Sequence, residues 1–438
     1  MEKSALNHIK LGHFPVALAL LLAAVTLAAC GGGGGNNNAP APPTPAGSAS
    51  GTLVPPPTGG GNSIVVIVDT GPPTAPGQIN MPYVSVTLCT PGAAPTAAAC
   101  QTIDHVQLDT GSYGLRLLYS AIDSSLILPP AMNGAATIGE CAAFSVGTIW
   151  GSVRYADIYL GGEVARSVPI QDIGDSPGGY PSVPTSCSST GTMQSTQAQL
   201  GANGILGVGL FKNDCDACIV ASPPIPGAYY ACTSSGCAAS DVTQGQVVQN
   251  PVADFAQDNN GVLVSLASFG TSGSTYSNVS GTLFFGIGTQ SDNQLGGATI
   301  YAADPSGEIR TGFNGATIPA FFDTGSNALY FNDGSNIQMC TVNTWAYCPS
   351  PSPMQLAATI SGANNLPSPG TAVSFSIVGA DTLNAGVVAA NIAGVWPGTP
   401  AQFDWGLPFF FGRPVYVAIS GALVATSGVP ATGPFFSY

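Results

Sequence analysis

Beyond residue 62 the chain alternates short apolar runs with clusters of Gly, Pro, Asn, Asp and Ser, and few stretches repeat at the helical period. Runs of strand length bounded by turn residues predict strands, and so many in succession predict an all-β protein. Two places share one pattern in detail. Val106-Gln107-Leu108 enters Asp109-Thr110-Gly111-Ser112 and leaves through Leu115-Arg116-Leu117-Leu118. Ile318-Pro319-Ala320-Phe321-Phe322 enters Asp323-Thr324-Gly325-Ser326 and leaves through Ala328-Leu329-Tyr330-Phe331. A strand, a tight Asp-Thr-Gly turn and a second strand account for both. A single copy would need no more than a turn in which Asp bonds its own backbone. Two copies far apart predict two similar lobes, each giving one carboxylate to a shared site.

Other segments read as a hairpin over 144–154, a short helix over 250–257, a strand over 280–288 and a buried strand over 409–411. The expected division is an N-terminal lobe over 62–275 and a C-terminal lobe over 276–438.

The N-terminal pattern differs. Lys3 and Lys10 precede an apolar run over 16–29 that ends Leu27-Ala28-Ala29-Cys30. A positive n-region, an h-region and small residues before the cut predict a signal peptide over 1–29; the run is too short and one-sided to span a membrane. Leu-Ala-Ala-Cys resembles the bacterial lipobox, which predicts lipidation of Cys30 and a lipoprotein held to the membrane by its lipid anchor only. The plainer alternative is an ordinary secretory signal with an incidental Cys. Gly31 follows, not the Asp that signals inner-membrane retention in some bacteria. The expected address is therefore the cell envelope, at the outer membrane, facing the periplasm or the cell surface. Residues 30–61, rich in Gly, Asn and Pro, predict a disordered tether.

Without the signal, six Lys and Arg face 21 Asp and Glu. That balance argues against nucleic acid as a partner and is compatible with acid tolerance. Ten of the eleven Cys remain after Cys30 is set aside, an even number in an exported chain, which predicts up to five disulfides. Cys89 and Cys100 would staple a hairpin, Cys340 and Cys348 are near neighbours, and Cys141 is set against Cys187 with no spacing argument behind it. Cys215, Cys218, Cys232 and Cys237 have a spacing that could mimic a zinc ribbon; the compartment and the lack of nearby His favour disulfides, in a pairing the spacing leaves open. His8 and His13 leave with the signal, so a Ser-His-Asp or Cys-His device would have to use His105 alone. The remaining chemistry belongs to carboxylates, hydroxyls and backbone, with no metal and no cofactor.

Between and after the two tetrapeptides come Tyr155-Ala156-Asp157-Ile158-Tyr159-Leu160-Gly161-Gly162, Asn203-Gly204-Ile205-Leu206-Gly207-Val208-Gly209-Leu210 and Gly406-Leu407-Pro408-Phe409-Phe410-Phe411-Gly412. In that order the chain resembles the pepsin-like aspartic peptidases over most of residues 80–420, and it also resembles bacterial lipoproteins grouped only as a domain of unknown function. The first resemblance implies a bilobal pepsin-like fold with a cleft between related lobes. It implies catalysis by Asp109 and Asp323, threonines Thr110 and Thr324 locking the loops together, glycines Gly111 and Gly325 beside the carboxylates, and serines Ser112 and Ser326 bonding their outer oxygens. Ile205-Leu206-Gly207 would thread the first loop and the segment ending at Gly406 the second. Paired carboxylates share a proton, activate one water and stabilise the developing oxyanion. The implied partner is a protein or peptide substrate, hydrolysed by a monomer. The tether holds no Lys or Arg, so a basic activation peptide is not expected.

Three features depart from that family. The hairpin over 144–154 lacks the flap Tyr, leaving Trp150 as the flap candidate. Asp404 and Trp405 stand before Gly406 where two apolar residues are expected. The Cys-rich stretch from 215 to 237 could narrow or cover the cleft. A non-catalytic binding protein on the same fold is the alternative; a glycosidase would need its acids further apart than hydrogen-bonding distance.

Overall fold

β-Branched and aromatic residues at alternating positions lay the chain down as strands. The structure, a computed structural model, describes residues 61–96, 98–145, 147–269 and 278–438. The expected signal peptide, Cys30, the expected tether up to residue 60 and the expected lobe boundary at 275/276 lie outside these residues. The described strands form a sixteen-stranded sheet, a seven-stranded sheet and a two-stranded ribbon. Helices among the described residues are single turns such as Thr185–Ser188 and Gln197–Leu200, and no helix there is long and apolar enough to cross a membrane.

One local motif occurs twice. In the N-terminal half, strand Gly204–Val208 lies between Cys100–Asp109, to which it is parallel, and Tyr113–Leu118, to which it is antiparallel. In the C-terminal half, Phe403–Trp405 lies in the same way between Ala316–Phe322 and Leu329–Tyr330. Each arrangement threads a strand through the loop that carries Asp-Thr-Gly-Ser. The two halves then meet in shared pairing. Ser63–Val68 pairs with Val279–Phe285, that strand with Gly261–Leu266, and Gly261–Leu266 with Pro414–Ala418 near the chain's end. The result is a bilobal all-β fold whose first and last described strands belong to one bridging sheet.

Aromatic rings fill the C-terminal lobe under its loop. Phe403 and Trp405 stack at 4.1 Å, Phe331 and Phe403 at 5.0 Å. Trp405 is fully buried and its Nε1–H donates to Thr311 Oγ1 at 2.9 Å, so its one polar group is satisfied. This explains how the lobe accommodates a Trp directly before Gly406.

Two local expectations are corrected. Residues 409–411 are buried, but Leu407–Phe409 is a 3₁₀ turn, with Pro408 in its first turn and Gly412 at φ +71° just beyond. Residues 250–257 hold only the single turn Pro251–Asp254, capped where Asn250 Oδ1 accepts the Val252 N–H. Five disulfides form among the described residues: Cys89–Cys100, Cys141–Cys187, Cys215–Cys218, Cys232–Cys237 and Cys340–Cys348. The quartet therefore pairs locally, within each half of the Cys-rich stretch, and is no zinc ribbon.

Candidate active site

The two Asp-Thr-Gly-Ser turns lie face to face and bond in matching pairs. Thr110 Oγ1 donates to Phe322 O at 3.0 Å and accepts from Thr324 N–H at 3.0 Å. Thr324 Oγ1 donates to Leu108 O at 2.7 Å and accepts from Thr110 N–H at 3.0 Å. Both threonines are buried, so these four bonds run in a water-poor interior. They hold the two carboxyls in hydrogen-bonding contact with each other.

Each carboxyl receives the same two local donors. Gly111 N–H reaches Asp109 Oδ1 at 2.8 Å and Ser112 Oγ–H reaches Asp109 Oδ2 at 2.5 Å. Gly325 N–H reaches Asp323 Oδ1 at 2.7 Å and Ser326 Oγ–H reaches Asp323 Oδ2 at 2.8 Å. The glycines are required for the approach. A Cβ on Gly111 would lie 2.6 Å from the Asp323 carboxyl carbon, and one on Gly325 would lie 2.6 Å from Asp109 Oδ1. Gly406 is as constrained, because a Cβ there would meet Ala328 O at 2.1 Å.

Burial, with Asp109 beside it, pushes the Asp323 carboxyl well above the ordinary carboxylate range. Two acids in contact cannot both ionise cheaply, so the pair holds a proton. Such a pair can take a proton from a water on one carboxylate and donate one from the other. The contact also excludes the inverting or retaining glycosidase geometry, whose acids stand about 5 Å or more apart.

Next to the dyad is a cavity of ≈ 200 Å³ lined by Gly111, Tyr113, Phe321, Glu308 and Gln402, among others. Tyr113 was not singled out from sequence, although it directly follows Ser112. Its phenol is held neutral by burial and by both acids, which makes it a donor at any working pH.

Trp150 is not over this site. It is 3% exposed and packs edge-on to Tyr230 at 5.2 Å, in a cluster with Cys141, Cys187 and Cys232. The flap assignment fails for a packing reason: the hairpin Ala136–Phe144 and Gly147–Leu160 is stapled by Cys141–Cys187 and paired along its outer edge with Tyr229–Thr233. The Cys-rich stretch thus extends the hairpin sheet outward, and none of its residues lines the cavity beside Gly111.

Arg116 and Arg154 serve buried acids. Arg116 bonds Glu140 at 2.6 Å and Asp214 at 2.9 Å, and its Nη1 donates to Tyr113 O at 2.6 Å. Arg154 reaches Asp172 at 2.7 Å and Asp175 at 3.2 Å. Arg413 lies over the Phe409 ring at 4.7 Å. Half-buried His105 faces Asp69 and Asp104, and among the described residues no serine or cysteine side chain is bonded to it.

One arginine for two acids leaves charge unbalanced. Burial raises Asp172 to about 7 and raises Asp214, Asp323 and Asp404 well above the usual range. A raised carboxyl contributes stability that is complete below the unfolded value near 4 and is lost as pH rises through the folded value. For Asp172 alone that amounts to about 4 kcal/mol. Thermal melts are expected to peak near pH 4 and fall steadily toward pH 7, and Asp172→Asn to flatten the fall. A melting temperature that rises from pH 4 to 7 would contradict this.

The threaded loops, the paired acids and the bridging sheet together define the pepsin-like bilobal fold. The chain belongs to a family described as protein of unknown function (DUF3443), whose model matches residues 59–438. No curated protein matches it. Among solved structures, an aspartic proteinase from Irpex lacteus is similar at 14% identity and a TM-score of 0.45, over 86% of this chain and 96% of that one.

Proposed function

We propose that the protein is an aspartic endopeptidase of the bacterial cell envelope, anchored through lipidated Cys30 and working on proteins or peptides as a monomer without a cofactor. One observation carries the reading: Asp109 and Asp323 are in hydrogen-bonding contact and each is held by the same Gly N–H and Ser hydroxyl. One carboxylate takes the proton of a bound water as it attacks the carbonyl. The other, protonated, donates to the developing oxyanion; as the C–N bond breaks the first acid passes its proton to the leaving amine, and the diol hydroxyl gives its proton back to the second carboxylate. A binding module gains nothing from a proton-sharing pair at its centre.

A second reading, a binder on the same fold, draws on the stapled hairpin, which lacks the freedom of a closing flap. Transition-state mimicry separates the two. An enzyme binds a transition-state mimic at least about 10²-fold tighter than the matching substrate. Pepstatin, whose secondary alcohol stands where the attacked carbonyl would be, is expected to bind that much tighter at pH 4 than the same peptide with an ordinary amide. Equal affinities, measured calorimetrically, would favour the binder.

A further inference from the structure

Asp404 breaks the match between the lobes. In the N-terminal lobe Ile205 lies opposite Gln107 on one side and Arg116 on the other. In the C-terminal lobe the same place, opposite Phe321 and Tyr330, is held by Asp404. An aliphatic position thus carries a carboxyl that is 2% exposed, and its Oδ1 has no hydrogen-bond partner. Among the described residues no cation forms an ion pair with it; Arg310, on the next strand but one, faces Asp304 and Glu308 instead. The titratable groups that face it are Asp323, Asp109 and Tyr330. The Tyr330 hydroxyl is committed to Asn327 Oδ1 at 2.8 Å.

Ser326 is the remaining polar neighbour, in hydrogen-bonding contact with Asp404 and with Asp323. A hydroxyl has one hydrogen. While Ser326 gives it to Asp323 Oδ2, it can only accept from Asp404, and Asp404 must then be the neutral acid. When Asp404 ionises, the hydrogen turns to Asp404, and Asp323 loses the bond that favours its charge. Ser112 has no such second acid, since its counterpart neighbour is Ile205.

We propose that Asp404 is a positioning residue acting through Ser326, a third acid that shares the protons of the Asp109–Asp323 pair and extends the pH range in which that pair stays singly protonated. At low pH the neutral acid orders Ser326 toward Asp323 and supports the first ionisation of the pair. As pH rises Asp404 releases its proton to solvent, and its charge opposes loss of the last proton from the dyad. The inference rests on the peptidase reading for its consequence in catalysis, though not for the titration itself.

Two variants and two readouts decide it. Asp404→Asn keeps a donor for Ser326 but takes no charge; Asp404→Leu removes both. In the pH profile of kcat/KM on a denatured protein substrate, Asp404→Asn is expected to lower the alkaline limb by about one pH unit and leave the acid limb in place. Asp404→Leu is expected to lower the alkaline limb and raise the acid limb. A structural role would lower activity across the profile without that split. Infrared difference spectra of wild type minus Asp404→Asn read the titration without catalysis. They are expected to show one protonated-carboxyl band that persists well above the ordinary carboxylate range. If the wild type cleaves nothing, the peptidase reading fails and the infrared result still decides Asp404. An alkaline limb unmoved in Asp404→Asn, or a difference band lost near pH 4, overturns the proposal.

Discussion

Asp323→Asn is expected to lower peptide hydrolysis by about 10⁴-fold, the upper range for positioned acid–base catalysis, and to raise the melting temperature at neutral pH. The two effects have one cause. Asp323 is buried against Asp109 and is pushed well above the usual carboxylate range. The folded state therefore holds a proton that the unfolded state releases, and stability drains away as pH climbs from about 4. Asn has the same shape; its carbonyl oxygen can keep the bond from Gly325 N–H, while its amide NH2 takes the place of the other oxygen and donates to Ser326 Oγ, which turns its own hydrogen away. It cannot ionise, so the penalty disappears together with the proton transfer. Activity and stability trade off at this residue, as expected where a site is strained for function. Asp109→Asn is expected to lose hydrolysis to the same degree. Rates from initial product formation and melts at pH 4 and 7 check both halves.

Thr324→Val is expected to cost about 4 kcal/mol of folding stability, from two buried backbone groups left without partners at about 1–3 kcal/mol each. Val matches Thr in shape and fills the space. It cannot accept from Thr110 N–H or donate to Leu108 O, which Thr324 serves at 3.0 Å and 2.7 Å. The loops would also part slightly, and about 1 Å of misplacement costs roughly 10²-fold in rate. Thr324→Ser keeps the hydroxyl and is expected to restore most of both. Urea unfolding at pH 4 measures the stability term without relying on activity. A Thr324→Val midpoint equal to wild type would show that the lobes are held together by other contacts.

The parts of the site that were legible in the sequence are those whose geometry is local. Asp, Thr, Gly and Ser act within one turn, and the need for Gly111 beside Asp323 follows from the absence of a side chain there. Ile205-Leu206-Gly207 was legible because a strand threaded through a tight loop needs a glycine where it passes; a Cβ on Gly207 would lie 2.6 Å from Tyr113 N. Features that depend on distant residues were not. Trp150 read as a flap candidate because its partner Tyr230 lies 80 positions away and the Cys141–Cys187 bridge closes over it only in the fold. Arg116 carried no assignable role because its acids, Glu140 and Asp214, are 24 and 98 residues off. Asp404 was visible as an anomaly, but strand parity alone decides whether it faces the dyad or turns away, and parity is known only once register is set. The run 409–411 was misread as a strand although Pro408 and Gly412 bracket it, a turn signal outweighed by three phenylalanines.

The most direct test of the central claim is mass spectrometry of a denatured protein mixture incubated at pH 3 to 7 with the chain from residue 61 onward, wild type beside Asp109→Asn and Asp323→Asn. New peptide termini that appear with wild type, vanish in both variants and are suppressed by pepstatin are the predicted result. Substrates left intact at every pH by folded, disulfide-bonded wild type would contradict the peptidase.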